Sequence, residues 1–432
     1  RLAFPERSNF CSLKGRFGFH RYALNRIQED LVTQFNRSLP SVLAAACIGA
    51  ISLSATPAFA QKAQPCIAGS WELSGALAHT GLAIRMGVEA AVDEINEAGG
   101  VLGQKLRIVA LDDQGDPARA VDNARRIGEK ENCVVMIGGF RTPNALAIRE
   151  PLSDMGLPWM GVISAGTRVT EWEKGKNEWM FRTSMKDRWV APFLFDHALQ
   201  RTKNQKVALL FEATGWGQGA VPDVEAAATA KNIKLVAKET FNIADQDMSA
   251  QLIRLRDAGA DTLIFYGVDR EANAILKSME RIGYRPNIVS AWGITAQLGE
   301  TAGKLAEGVL VAGTYAWTGQ LSPRAQKVYE RIKTKFKLDN PGQIALPSGT
   351  ANAYDAVFII AEGLKMAGDF DRKKLRDALF KVKYEGIIAK YDPAFEAKYD
   401  RMDSIVPTHY KMLTYYKGHL TAIEQTPFAL KK

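Results

Sequence analysis

The sequence predicts an α/β protein built from two doubly wound parallel-sheet units, and three observations carry that prediction. From Cys66 onward, short apolar runs alternate with amphipathic helical stretches, as βαβ construction requires. The alternation pauses near residue 183 and begins afresh at Lys206, which makes two units of similar size. Each run ends in small or polar residues, so loops gather beyond the carboxyl ends of the strands, where open parallel sheets take their ligands. The chain, at 432 residues, exceeds one ordinary domain, and its 47% hydrophobic content suffices for two cores.

In the first unit, a strand starting at Cys66 ends before Ser74-Gly75, residues suited to a tight turn. A helix from about Thr80 to the Gly99-Gly100 stop places Ile84, Val88, Ala91, Val92 and Ile95 on one face. Leu106–Leu111 is a buried strand ending in Asp112 and Asp113, and Pro117 opens a helix with Ala120, Ala124 and Ile127 inward. Cys133–Ile137 and Pro158–Val162 are the third and fourth strands, followed by Gly138-Gly139-Phe140-Arg141-Thr142-Pro143 and Ile163-Ser164-Ala165-Gly166-Thr167. A further strand spans Met180–Thr183.

The second unit has strands at Lys206–Phe211, Lys234–Ala237, Thr262–Tyr266 and Asn287–Ala291, with helices near 217–231, 248–258 and 270–283 between them. Gly308–Thr314 is another strand. Helices follow near 322–336, 349–367 and 372–381, and Lys417-Gly418 joins Tyr410–Tyr416 to His419–Ile423 as a hairpin.

Charge excludes one class of partner. The formal charge is +9, of which +4 sits in residues 1–60; beyond them the basic residues are interleaved with acids and form no basic block, so nucleic acid is not an expected partner. Leu39–Ala60 is an apolar run after Arg37, broken by Pro57 and closed by Ala58-Phe59-Ala60, the pattern of a secretory leader cleaved after Ala60. We therefore expect 37–60 to be removed and set residues 1–36, a polar lead longer than export needs, outside the fold. Of four cysteines, Cys11 and Cys47 fall in that leading part, leaving Cys66 and Cys133. Each precedes a strand; a disulfide and a pair of buried free thiols are both compatible with the sequence.

Catalytic patterns are scarce. C-x-x-C, H-E-x-x-H, G-x-S-x-G and Walker A stretches are absent, and only five His occur, so neither a zinc nor a triad enzyme is expected. Gly215-Trp216-Gly217-Gln218-Gly219-Ala220 fits a dinucleotide fingerprint with Glu239 downstream, but Trp216 would crowd the turn that must approach a pyrophosphate, and no cofactor is expected. Trp216, Tyr266 and Trp292 fall at strand ends rather than strand middles, which suits either aromatic walls for a ligand or rim packing. Arg141 is placed to clamp a carboxylate and Asp269 to receive an ammonium; each reads equally well as a solvated loop charge.

Taken in order, Ser74-Gly75, Ile95-Asn96-Glu97-Ala98-Gly99-Gly100-Val101, Gly103-Gln104-Lys105-Leu106 and Asp112-Asp113-Gln114-Gly115-Asp116-Pro117 make the chain resemble periplasmic solute-binding proteins of the branched-chain amino acid type, which serve ABC importers. The likeness runs from about Cys66 to Glu424. It implies a Venus-flytrap fold crossed three times by the chain, with lobe 1 at 61–186 plus 315–405 and lobe 2 at 187–314 plus 406–432. It further implies that Thr142 and the Ser164-Ala165 stretch, with Thr167 as a rival, hold a ligand carboxylate. Trp216 matches an aromatic of the second lobe. Departures are Thr80 where the family has an aromatic, Trp292 where amino-acid binders have a Glu, and Gln114 and Arg141 at the positions of the family's disulfide.

By this resemblance the chain is expected to be a monomeric, periplasmic, non-enzymatic binding component that delivers an amino acid to an inner-membrane ABC permease. If Asp269 does not replace the missing Glu, an aromatic or aliphatic carboxylate without an amine is the better ligand. A ligand sensor of the same fold is the other expectation; a repressor would carry a helix-turn-helix where the leader stands.

Overall fold

The computed structural model describes residues 64–172, 178–397 and 401–430. Residues 1–36 and the stretch 37–60 expected to be a leader lie outside them. Strands β1 (Cys66–Trp71), β2 (Arg107–Asp112), β3 (Val135–Ile137), β4 (Trp159–Gly161) and β5 (Met180–Arg182) form a five-stranded parallel sheet in the order β2-β1-β3-β4-β5. The order reverses between β1 and β3, so a crevice opens at their carboxyl ends. The first helix, Ala78–Glu97, buries Ile84, Val88, Ala91, Val92 and Ile95, the face read from spacing.

A second sheet contains β6 (Val207–Glu212), β7 (Lys238–Phe241), β8 (Thr262–Tyr266), β9 (Asn287–Ser290) and β10 (Leu310–Gly313). A short ribbon of β11 (Tyr384–Glu385) and β12 (Lys390–Tyr391) follows. The hairpin β13 (Lys411–Tyr416) and β14 (His419–Ala422) then joins the second sheet antiparallel to β10, giving the order β14-β13-β10-β9-β8-β6-β7. Here the reversal lies between β6 and β8. Two α/β units with parallel sheets are thus present, as expected.

Two local differences have physical reasons. The strand expected at Lys234–Ala237 lies four residues later, at Lys238–Phe241. Leu235, Val236 and Ala237 look like a strand by composition, and Val236 and Ala237 do bond to β6, but the edge strand that continues the ladder is mostly exposed and less apolar. The helix Asp187–Leu199 had no sequence assignment; it buries Val190, Ala191, Leu194, Phe195 and Ala198 and packs on β8 and β9. Its Pro192 hides the helical period.

The chain passes between the sheets three times. It leaves β5 for the helix at Asp187, leaves β10 for helices Pro323–Phe336 and Pro347–Ala367 that pack on the first helix, and returns after Asp403 to β13. Packing of Pro347–Ala367 is close: a Cβ on Gly87 would lie 2.1 Å from the Thr350 carbonyl oxygen, so only glycine admits the second helix backbone there. Cys66 and Cys133, at the entrances of adjacent strands, are joined by a disulfide. No helix among the described residues is long and apolar enough to cross a membrane.

Candidate functional site

The loops after the strands meet in a cavity of about 200 Å³. From the first sheet's side it is lined by Phe140, Arg141, Thr142, Ile163 and Ala165; from the second, by Glu212, Thr214, Trp216, Val268 and Trp292. Both topological reversals therefore face one space. Five of the residues singled out in the sequence, Arg141, Thr142, Ala165, Trp216 and Trp292, share it.

The first-sheet wall is held from below. Arg182, fully buried, donates to the carbonyls of Ser164 (3.1 Å) and Gly166 (3.0 Å), and the Gly166 N–H donates to the Thr142 hydroxyl at 3.2 Å. The loops after β3 and β4 are so fixed to each other. Asp403 anchors Arg182 (2.5 Å) and Lys186 (2.6 Å) in turn. Burial alone would raise the Asp403 carboxyl, but these two cations outweigh it and hold it below the ordinary value. Among the described residues, the backbone N–H groups of Thr142 and Ala165 have no hydrogen-bond partner. They and the Thr142 hydroxyl are the donors available to an anionic group.

The second wall is aromatic with one acid. The Trp216 indole packs on Tyr266, centroids 5.4 Å apart, and donates to Asp187 at 2.9 Å. A Cβ on Gly293 would come within 2.2 Å of the Gly267 carbonyl oxygen and 2.6 Å of the Trp216 ring, so the loop beside Trp292 closes on the indole only as glycine. Thr214 caps the helix Gly215–Ala230, accepting from the Trp216 N–H at 3.2 Å and donating its hydroxyl to Glu212. Glu212 is 6% exposed, and burial pushes its carboxyl up to about 7, with Thr214 and Arg141 opposing and Glu271 adding to the rise. Asp187 is likewise raised to about 7 by burial, against the pull of Arg182.

Arg141 reaches the cavity, but its guanidinium is engaged by Glu72, Nε to Oε2 at 2.7 Å. The remaining sequence candidates lie off the cavity. Thr80 is buried and donates its hydroxyl to the Leu77 carbonyl, which makes it part of the helix start. Ser164 is buried with its hydroxyl unpartnered. Thr167 bonds to Asp223 at 2.5 Å, and Tyr266 stands behind Trp216. Asp269 is saturated: it accepts from the Thr295 N–H (2.7 Å) and hydroxyl (2.8 Å) and pairs with His79 at 3.1 Å.

Sequence reading missed Glu212, Glu72 and Asp187. Glu212 is the last residue of β6, so the rule that ligands gather at carboxyl ends would have selected it. Glu72, one residue past β1, meets the same rule; Asp187 shows no sequence signal, because its importance comes from burial and from a partner 29 residues away. Among the described residues, no group of three or more His, Cys, Asp or Glu is placed to hold a metal ion.

A two-lobed α/β chain with one cavity between facing strand ends defines a ligand-capturing protein of the periplasmic type. Residues 66–404 match the family described as periplasmic binding protein, and the chain belongs to that family, with the type I fold of its branched-chain amino acid branch. It is similar to a Leu/Ile/Val-binding protein homolog of Brucella melitensis biotype 1, 29% identical over 300 residues that cover 69% of this chain and 78% of that one. A leucine-, isoleucine-, valine-, threonine- and alanine-binding protein of Pseudomonas aeruginosa is 26% identical over 308 residues, 71% of this chain and 79% of the relative. Among solved structures, a type 1 periplasmic binding protein from Bordetella pertussis Tohama I superposes with a TM-score of 0.75 at 26% identity, covering 83% of this chain and all of its own.

Proposed function

We propose that this protein is the periplasmic binding component of an ABC importer, capturing a branched-chain type amino acid between its lobes and delivering it to an inner-membrane permease as a monomer, without chemistry. The observation that carries the reading is the cavity itself, where the Thr142 and Ala165 donors face Trp216, Trp292 and Val268. A small carboxylate accepts hydrogen bonds from the first lobe, and an apolar side chain lies against the second. Lobes at 61–186 plus 315–405 and 187–314 plus 406–432 agree with the sheet memberships, and export through a leader cleaved after Ala60 fits the disulfide. The relatives that carry leucine, isoleucine and valine in their names support the ligand class.

A second reading, a plain aromatic or aliphatic carboxylate, is favoured by the paired indoles and by the engagement of Asp269 elsewhere. A thermal-shift panel of amino acids, aromatic acids and amides on residues 61–432 tests both. A ligand at a hundred times its dissociation constant adds about 2.7 kcal/mol of stability. Silence from every small carboxylate in the panel would remove the reading.

A further inference from the structure

Asp269 does not line the cavity and is already engaged by Thr295 and His79, and Trp292 supplies no charge. The cavity nevertheless contains a carboxylate of its own. Glu212 and Arg141 are the charged residues lining it, and Arg141 is already paired with the buried Glu72. Counting that pair as neutral, Glu212 is the group left without a cation. Its acidic neighbour, Glu271, is bound at one oxygen by Arg270 and the Ala244 N–H, has its other oxygen buried without a partner, and brings no cation to Glu212. Trp216 and Trp292 line the same cavity.

We propose that Glu212 is the specificity-determining residue of the cleft: it receives the ammonium of a zwitterionic ligand whose carboxylate docks on Thr142 and Ala165, so the ligand class is α-amino acids rather than plain carboxylates. The inference rests on the binding reading above and sharpens it. Amine and carboxylate then contact opposite lobes, and one ligand ties both across the cleft. A buried carboxyl with no cation holds its proton near neutrality; an arriving ammonium displaces that proton, which leaves to solvent. The charged groups facing Glu212 are Arg141, held by Glu72, and Glu271, held by Arg270.

The test is calorimetric titration of residues 61–432 with leucine and with 4-methylpentanoate, its analogue lacking the amine, for the wild type and Glu212→Gln at pH 8. Leucine should bind the variant at least about thirtyfold more weakly, and 4-methylpentanoate should change less than about threefold. In the wild type alone, which needs no variant to fold, leucine affinity should rise from pH 6 to 8 while that of 4-methylpentanoate does not. Equal effects on both probes, a flat leucine profile, or tighter wild-type binding of 4-methylpentanoate would each overturn the assignment of Glu212 while leaving the binding reading intact. Failure of both probes, with the thermal panel silent, would overturn both.

Discussion

Two carboxyls beside the cavity, Glu212 and Asp187, are each raised by burial to about 7. The unfolded chain releases their protons near pH 4, so between about pH 4 and 7 the folded protein holds protons that the unfolded chain has lost. Stability from these groups is therefore greatest at low pH and falls as pH rises through that window. Glu212→Gln removes its share: the variant's unfolding free energy, relative to wild type without ligand, should gain about 2 kcal/mol between pH 5 and pH 8 in denaturant titrations. A constant difference would contradict the buried, cation-free setting of Glu212. At this scale the sequence was half legible. Trp216 and Trp292 were found because aromatic residues stand out at strand ends, and Thr142 and Ala165 through the resemblance to branched-chain amino acid binders. Glu212 was passed over as an ordinary acid in the same position, and Asp269 was put forward as an acid able to receive an ammonium, since its engagement by Thr295 and His79, 26 and 190 residues away, leaves no mark in the sequence.

Among the elements, the loops after β3 and β4 owe their shape to Arg182 and its anchor Asp403, 221 residues further on. Asp403→Ala would leave Arg182 buried without a counter-charge and Lys186 with Glu171 as its remaining partner, and we expect a loss of about 3–5 kcal/mol in chemical unfolding. Ligand affinity should fall with it, since the Ser164 and Gly166 carbonyls lose their common tether. Gly87→Ala places a methyl where the Thr350 carbonyl stands and should cost about 1–3 kcal/mol by the same measurement. Helix and strand periods made most elements readable. What defeated the reading was an edge strand whose neighbours are more apolar than itself, at Lys238–Phe241, and a helix interrupted by Pro192.

For the whole molecule, side-chain clasps between the lobes include His79 to Asp269 at 3.1 Å and Thr167 to Asp223 at 2.5 Å. If the lobes open and close about the cavity, these bonds favour closure and a ligand bound by both lobes adds to it. His79→Ala and Asp223→Ala should each weaken leucine binding about tenfold by calorimetry, chiefly through faster release. The two-unit architecture was legible because its alternation repeats; the way the lobes meet was not, since the clasps join residues 190 and 56 positions apart. The central claim is that one ligand is held by both lobes at the cavity. Hydrogen exchange of residues 61–432 with and without saturating leucine tests it most directly. Protection should appear together in 138–143, 163–167, 212–217 and 292–295; protection in one lobe only, or at a surface away from these loops, would contradict the account.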